Sequence, residues 1–240
     1  MAEIIDINTL FGPLPAAASD LSVDDLTAMM SRHSVKSCCT LSTIGMLLDH
    51  NSGNSATRAA CGESPSLEAA ATVNPMAFFG GDGPYKRFRS DGFKLVRFFP
   101  GFQGWDPDAE SFVALARVLG EQELPIMVDI DRSGMASRLT RALDFYEGPI
   151  VLSSVDETSV SEAVALMRAK NNVFVETSSL LAAGAVKQVV DSVSPERILY
   201  GSGAPSRPMA SGLAILKHSG LTDEQSDLVL CGNAKRLLGL

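Results

Sequence analysis

The sequence predicts an α/β protein in which residues 1–240 form one (β/α)₈ barrel. Eight short apolar segments recur along the chain, and several are continuously apolar, as is typical of parallel strands covered on both faces. The segments between them carry helical spacing, as in the stripe of Phe112, Leu115, Ala116 and Leu119. Strict alternation of strand and helix predicts parallel strands joined by right-handed crossovers. An open doubly wound sheet is disfavoured because no glycine-rich phosphate loop follows the first strand.

The predicted strands place a site at one end of the barrel. They are Glu3–Ile7, Lys36–Leu41, Glu68–Val73, Phe93–Phe99, Leu124–Ile130, Pro149–Ser154, Asn172–Glu176 and Arg197–Tyr200. Active sites of such barrels lie at the carboxyl ends of the strands. We therefore expect the site near Asn8, Arg97, Asp129, Ser154, Glu176 and Ser202. The stretch Asn51–Ser66 is rich in Ser, Gly and Asn, which predicts a loop around a short helix.

Composition excludes several classes of protein. The net charge of −8 disfavours a nucleic-acid surface, because phosphate binding needs clustered Lys and Arg. No apolar run approaches 18 residues, so no membrane span is expected. No basic segment followed by an apolar stretch opens the chain, and the four cysteines form no C-x-x-C pair. These features predict a cytoplasmic protein with reduced thiols.

Six segments at or near the predicted strands and at the end of the chain carry recognisable motifs. They are Ile4–Gly12, Thr72–Pro75, Gly92–Pro100, Leu124–Asp129, Arg197–Pro205 and Asn233–Leu240. In the same order they resemble the motifs I-D-x-H-x-H-x-G, A-T-V-N-P, G-x-K-G-V-R-L-x-P, L-P-V-x-x-H, R-I-L-F-G-S-D-x-P and N-A-x-R-L-F-x-L of one family of barrel enzymes, the amidohydrolase-related metal-dependent hydrolases. The resemblance spans nearly the whole chain. It implies a TIM barrel and a hydrolase-like ancestry.

The resemblance also implies a divalent metal held by an H-x-H pair on strand one, histidines on strands five and six, and an aspartate on strand eight. The corresponding residues here are Asn8, Leu10, Asp129, Ser153 or Ser154, and Gly203. The three histidines of the chain, His33, His50 and His218, lie near predicted helix ends instead. Leucine and glycine offer no donor side chain, and a catalytic metal needs about three protein ligands. We therefore expect no metal or other cofactor held in the usual way.

Three hypotheses account for the polar residues that remain at the strand ends. In the first, Arg97 pairs with Asp129 or Glu176 and fills the space of the metal. In the second, a pocket binds a small carboxylate or phosphate through Arg97, with serines and Asn8 orienting it. Arg132 and Arg207 follow strands five and eight and could also approach an anion. In the third, carboxylates hold an oxygen-liking cation or act as general acid and base. The residues concerned are Asn8, Arg97, Asp129, Asp131, Ser154, Glu176, Ser178 and Ser202.

Two functions follow from these hypotheses. The leading one is a pseudoenzyme, a non-metal relative of the hydrolases that binds a small anionic ligand or a partner subunit, either a second copy or an active homologue. In it, Asn8, Arg97, Asp131, Ser154, Ser178 and Ser202 contact the ligand. The alternative is a working hydrolase, lactonase or decarboxylase in which Asp129 and Glu176 replace the usual histidines.

Overall fold

The structure, a computed structural model, describes residues 3–14, 20–81 and 83–240. Eight parallel strands are hydrogen-bonded in chain order from the first to the eighth. The first strand and the chain after the eighth are joined by the Ile7 N–H, which donates to the Tyr200 carbonyl at 3.0 Å, and by the Leu10 N–H, which donates to the Ala204 carbonyl at 2.9 Å. The predicted (β/α)₈ barrel is confirmed.

Every predicted strand segment overlaps an observed strand. The strands are β1 Ile5–Phe11, β2 Ser37–Ser42, β3 Leu67–Thr72, β4 Leu95–Phe98, β5 Ile126–Asp129, β6 Ile150–Ser153, β7 Val173–Glu176 and β8 Ile198–Leu199. The largest difference is in β1, which was expected to end at Ile7. A register shift between Asp6 and Thr9 lets the strand resume its pairing with β2 and continue to Phe11. Asn8 therefore lies within β1 rather than after it.

Within the described ranges, α-helices lie between successive strands except between β3 and β4, where there are two short 3₁₀ helices, Pro75–Ala77 and Tyr85–Arg87. The α-helices are α1 Val23–Arg32, α2 Thr43–Leu47, α3 His50–Glu63, α4 Pro100–Gln103, α5 Glu110–Gly120, α6 Met135–Ala142, α7 Val160–Ala169, α8 Ala185–Ser192, α9 Met209–Lys217, α10 Asp223–Asp227 and α11 Asn233–Leu238. A reciprocal cap begins α1, in which the Ser22 hydroxyl accepts from the Asp25 N–H and the Asp25 carboxylate accepts from the Ser22 N–H. Among the described residues, no helix is long and apolar enough to cross a membrane.

The prediction of a loop around a short helix over Asn51–Ser66 was wrong, because His50–Glu63 form one continuous helix of 14 residues. Some of its polar residues are buried, and Asn54 bonds to strand backbone. It donates to the Thr72 carbonyl and accepts from the Thr72 N–H, both at 2.9 Å. A Cβ on Gly53 would lie 2.1 Å from the Gly45 nitrogen, so α2 and α3 pack backbone against backbone. The small and polar residues that made this segment look like a loop therefore allow α3 to pack closely against its neighbours.

The barrel interior determines which side chains reach the mouth. Leu95, Met127 and Val151 belong to one buried apolar cluster inside the strands. Because side chains alternate along a strand, the residues two positions further on face the same way. Those residues include Arg97 and Asp129, the predicted site residues of β4 and β5. The apolar layer below thus fixes the floor of the site.

Candidate functional site

A cavity of about 720 Å³ opens at the carboxyl ends of the strands. Its polar lining includes Asn8, Arg97, Asp129, Asp131, Ser154, Asp156, Ser178, Ser179 and Arg207. Its apolar lining includes Leu10, Leu14, Met46, Leu47, Phe99, Phe102 and Ile130. Six of the eight predicted site residues therefore meet in one cavity. The other two, Glu176 and Ser202, are buried outside its lining, with 0% and 2% of their surface exposed.

Arg97 spans the floor of the cavity. Its Nε and Nη2 donate to Asp129 Oδ1 at 3.2 and 3.0 Å, and Nη2 also reaches Oδ2 at 3.3 Å. Its Nη1 donates to Asn8 Oδ1 at 2.6 Å. The guanidinium carbon lies 4.6 Å from the centre of the Phe99 ring. The charge of Arg97 is thereby balanced by Asp129, and its orientation is fixed from three sides.

Glu176 accepts hydrogen bonds from residues of the adjoining cavity wall. Its Oε1 accepts from the Ser153 and Ser178 hydroxyls at 2.9 and 2.7 Å and from the Ser154 N–H at 3.1 Å. Its Oε2 accepts from the Ser178 N–H at 2.7 Å. The bond to Ser154 helps to hold that residue at a φ of 62°, a left-handed conformation that serine rarely adopts. A Cβ on Gly201 would lie 2.2 Å from Glu176 Oε2, so only glycine leaves room for this carboxylate.

Asp6 is a second buried carboxyl, and the sequence interpretation missed it. Its Oδ1 accepts from the backbone N–H groups of Asn8 and Ser202, both at 3.0 Å. Its Oδ2 has no hydrogen-bond partner among the described residues. Burial raises the pKa of Asp6 to about 7, assisted by the charge of Glu176 and opposed by the hydrogen bonds from Ser202 and Asn8. The available signal was an acidic residue in the middle of the apolar segment Ile4–Ile7.

Two further arginines follow strands five and eight, and the structure distinguishes them. Arg132 is not part of the cavity lining, and it forms ion pairs with Asp131, which is, and with Asp106, which is not. Arg207 lines the cavity, donates to Ser179 Oγ at 3.3 Å and forms no ion pair with any residue in the described ranges. Its Cδ would lie 3.4 Å from a Cβ built on Gly203, the position that corresponds to the strand-eight aspartate. Of the two arginines that line the cavity, Arg97 is paired with Asp129, whereas Arg207 is paired with no carboxylate among the described residues.

Comparison with known proteins places this barrel in a family. The family model described as amidohydrolase matches residues 84–240. The chain belongs to the amidohydrolase family. No curated protein matches the chain by sequence.

Solved structures share the fold of this amidohydrolase-family chain at low sequence identity. A candidate amidohydrolase from Staphylococcus aureus superposes with a TM-score of 0.81 at 16% identity, covering 99% of this chain and 100% of its own. The 2,6-dihydroxybenzoate decarboxylase from Rhizobium gives 0.79 at 12%, covering 100% and 99%. The 5-carboxyvanillate decarboxylase from Novosphingobium aromaticivorans, complexed with manganese, gives 0.77 at 15%, covering 100% and 96%. At these identities the comparison shows the fold alone.

The residues at the cavity floor do not fit the divalent metal that the resemblance implies. Leu10 and Gly203 have no donor atoms, and Arg97 engages Asn8 Oδ1 and both oxygens of Asp129. A cation placed beside that guanidinium would also be repelled. In the part of the chain that the structure describes, no three side chains of His, Cys, Asp or Glu gather into a metal site. The chain therefore has the amidohydrolase fold, but the residues at its cavity floor do not form the metal site that the resemblance implies.

This difference predicts the response to metal ions. We expect Zn²⁺, Mn²⁺ and Mg²⁺ each to shift the melting temperature by less than about 1 °C, because a ligand stabilises only a state that binds it. Differential scanning fluorimetry with elemental analysis of protein purified without chelators measures this. One equivalent of metal, lost in Asp129→Ala but kept in the surface variant Asp191→Ala, would contradict it.

Proposed function

We propose that this amidohydrolase-family barrel binds a small organic carboxylate in the cavity without using a metal. The observation that carries the proposal is Arg207, a cation in the cavity lining that forms no ion pair with the described residues. Arginine recognises carboxylates through paired, planar hydrogen bonds. Arg97 is already paired with Asp129, so the second arginine is the one available to a ligand.

The open volume argues against a barrel that is merely filled. Small-molecule sites have volumes of roughly 300–1,000 Å³ and combine apolar walls with a few polar groups. The cavity of about 720 Å³ falls within that range, even though the Arg97–Asp129 pair occupies its floor. The first of the three hypotheses thus accounts for the floor, and the proposal takes the second for the space above it, with Arg207 in place of Arg97 as the residue that binds the anion.

The apolar lining favours an organic acid over inorganic phosphate. Leu10, Met46, Phe99, Phe102 and Ile130 offer surface that only a ligand with an apolar body can cover. Solved structures with the same fold are named as decarboxylases of 2,6-dihydroxybenzoate and 5-carboxyvanillate, both aromatic acids. We therefore choose benzoate as the first probe.

Substitution of Arg207 tests the proposal. We expect benzoate to bind and benzamide, its uncharged analogue, to bind at least about tenfold more weakly, because a hydrogen bond to a charged group contributes about 1.5–3 kcal/mol. Arg207→Gln is expected to weaken benzoate about tenfold and to leave benzamide unchanged. Isothermal titration calorimetry measures both. The control is Arg168→Gln, which removes an exposed arginine of α7 that donates to the Ser192 carbonyl and is not part of the cavity lining.

Two outcomes would refute this function. One is equal affinity for benzoate and benzamide in the unsubstituted protein. The other is an equal effect of Arg207→Gln and Arg168→Gln on benzoate.

Catalysis is the second candidate function, and the exposure of Asp129 favours it. This carboxylate faces the cavity with 22% of its side chain exposed, whereas Glu176 lies outside the lining and has no exposed surface. Of the two carboxylates suggested for acid–base chemistry, only Asp129 could therefore touch a substrate. Release of CO₂ from 2,6-dihydroxybenzoate, abolished in Asp129→Asn, would establish a decarboxylase and replace the binding function.

A further inference from the structure

The cavity floor contains a chain of hydrogen bonds that all run in one direction. Arginine has no acceptor, so the oxygen of Asn8 must face Arg97 Nη1 at 2.6 Å. The amide nitrogen of Asn8 then donates to the hydroxyl oxygens of Ser153 and Ser178 at 3.3 and 3.2 Å. Each serine has one hydroxyl hydrogen, and each points it at Glu176 Oε1. Donors therefore run from the arginine to the glutamate without reversal.

This direction decides what the floor offers to a ligand. Both hydrogens of the Asn8 amide are used, and the hydroxyl hydrogen of Ser178 is directed at Glu176. What remains toward the cavity is a lone pair on Ser178 Oγ and one on Asn8 Oδ1, beside the partly exposed carboxylate of Asp129. At Ser178, Asn8 and Asp129, beside the guanidinium of Arg97, the floor therefore accommodates a ligand group that donates a hydrogen bond. An acceptor placed there would leave buried lone pairs unpaired on both sides, which is costly.

We infer that the carboxylate bound by this cavity also carries a hydrogen-bond donor, such as a hydroxyl group, that points at Ser178, and that Glu176 sets this selectivity. The inference rests on the proposed function, since the acid group is taken by Arg207. Glu176 is a positioning residue, because it has no surface in the cavity and acts by holding the hydroxyl hydrogen of Ser178 away from the ligand.

The hydrogen bonds around position 176 require a carboxylate rather than an amide. Both of its oxygens accept backbone N–H groups, from Ser154 at 3.1 Å and from Ser178 at 2.7 Å. Backbone N–H groups can only donate, so an amide at position 176 would set its own N–H₂ against one of them. Glu176→Gln would place its amide oxygen at the Oε1 position, which accepts three hydrogen bonds, and its N–H₂ group against the Ser178 N–H. That conflict displaces Ser178 and also carries a cost in stability. A second variant, Ser178→Ala, removes the acceptor itself and leaves the bonds of Glu176 to Ser153 and Ser154 in place.

Matched probes measure the selectivity. The probes are 3,5-dihydroxybenzoate, which has two donors, and 3,5-difluorobenzoate, which has similar size and none. We expect the unsubstituted protein to bind the dihydroxy acid about tenfold more tightly in isothermal titration calorimetry. In Ser178→Ala the ratio of the two affinities is expected to fall to about one, because only the dihydroxy acid binds more weakly. Glu176→Gln is expected to narrow the ratio as well, where the variant folds. The control Ser206→Ala, which removes a rim serine of the same cavity, is expected to keep the ratio.

The outcomes separate this inference from the function on which it rests. If both acids bind through Arg207 with equal affinity, the donor selectivity is wrong and carboxylate binding stands. If the ratio persists in Ser178→Ala, the donor is recognised elsewhere and the inference is also wrong. If neither acid binds, the proposed function fails, and the selectivity fails with it. A merely structural role for Glu176 would weaken both acids equally and leave their ratio unchanged.

Discussion

Arg97→Met is expected to lower the free energy of unfolding by about 3 kcal/mol, because it leaves Asp129 and Asn8 without the cation that satisfies them. The side chain of Arg97 is only 7% exposed, and that of Asp129 is 22% exposed. An ion pair at this depth costs more to break than a surface pair, whose contribution is typically below about 1 kcal/mol. Urea unfolding at pH 7 measures the difference.

A double variant separates the burial of an unpaired charge from the loss of packing. Arg97→Met combined with Asp129→Leu removes both charges, and we expect it to recover most of the stability lost in the single variant. Arg132→Met provides the matched control, since Arg132 pairs with Asp131 and Asp106 while 48% of its side chain is exposed. If Arg97→Met lowers the free energy of unfolding no more than Arg132→Met does, the Arg97–Asp129 pair contributes no more to stability than an exposed ion pair. The hypothesis that Arg97 fills the space of a metal is then wrong.

Much of the barrel was predictable because its strands are covered on both faces. Segments such as Leu124–Ile130 and Pro149–Ser154 are largely apolar, and a chain that alternates such segments with helices typically folds around a parallel sheet. The pattern failed where polar groups are buried. The second half of β1 contains Asn8 and Thr9, and α3 is rich in Asn, Ser and Gly. Buried hydrogen bonds to backbone, which no hydropathy pattern reports, help to hold both in place.

The sequence predicted which strand ends surround the candidate cavity, but not which of the polar side chains there are covered by others. Carboxyl ends of neighbouring parallel strands meet at one rim, so Arg97 and Asp129 could be placed together from the sequence. Alternation along a strand gives the face of a residue, but not whether another side chain covers it. Glu176 was expected to act on a substrate and lies behind Ser178 and Asn8 instead. Arg207 was named only as a residue that could approach an anion, because the ion pairs that occupy Arg132 depend on the tertiary structure.

Asp6→Asn is expected to change the pH dependence of stability between about pH 5 and about pH 8. The pKa of Asp6 in the folded protein is about 7, compared with an ordinary value of 3.8. Between these values the unfolded chain releases the proton while the folded protein keeps it, so this group makes folding less favourable as pH rises. The contribution levels off above the folded-state pKa. Relative to the unsubstituted protein, the Asp6→Asn variant should therefore gain about 3 kcal/mol between about pH 5 and about pH 8.

Urea unfolding of both proteins at pH 5, 6, 7 and 8 tests this sign, and comparing their difference cancels the titration of all other groups. The amide of Asp6→Asn can keep the acceptor that bonds the Asn8 and Ser202 N–H groups, so the fold of β1 is preserved. The surface substitution Asp191→Asn should give a difference that stays constant over the same range. Parallel curves for Asp6→Asn would mean that burial is compensated by a partner of Oδ2. A variant that loses stability as pH rises would mean that the ionised carboxylate is the form the barrel prefers.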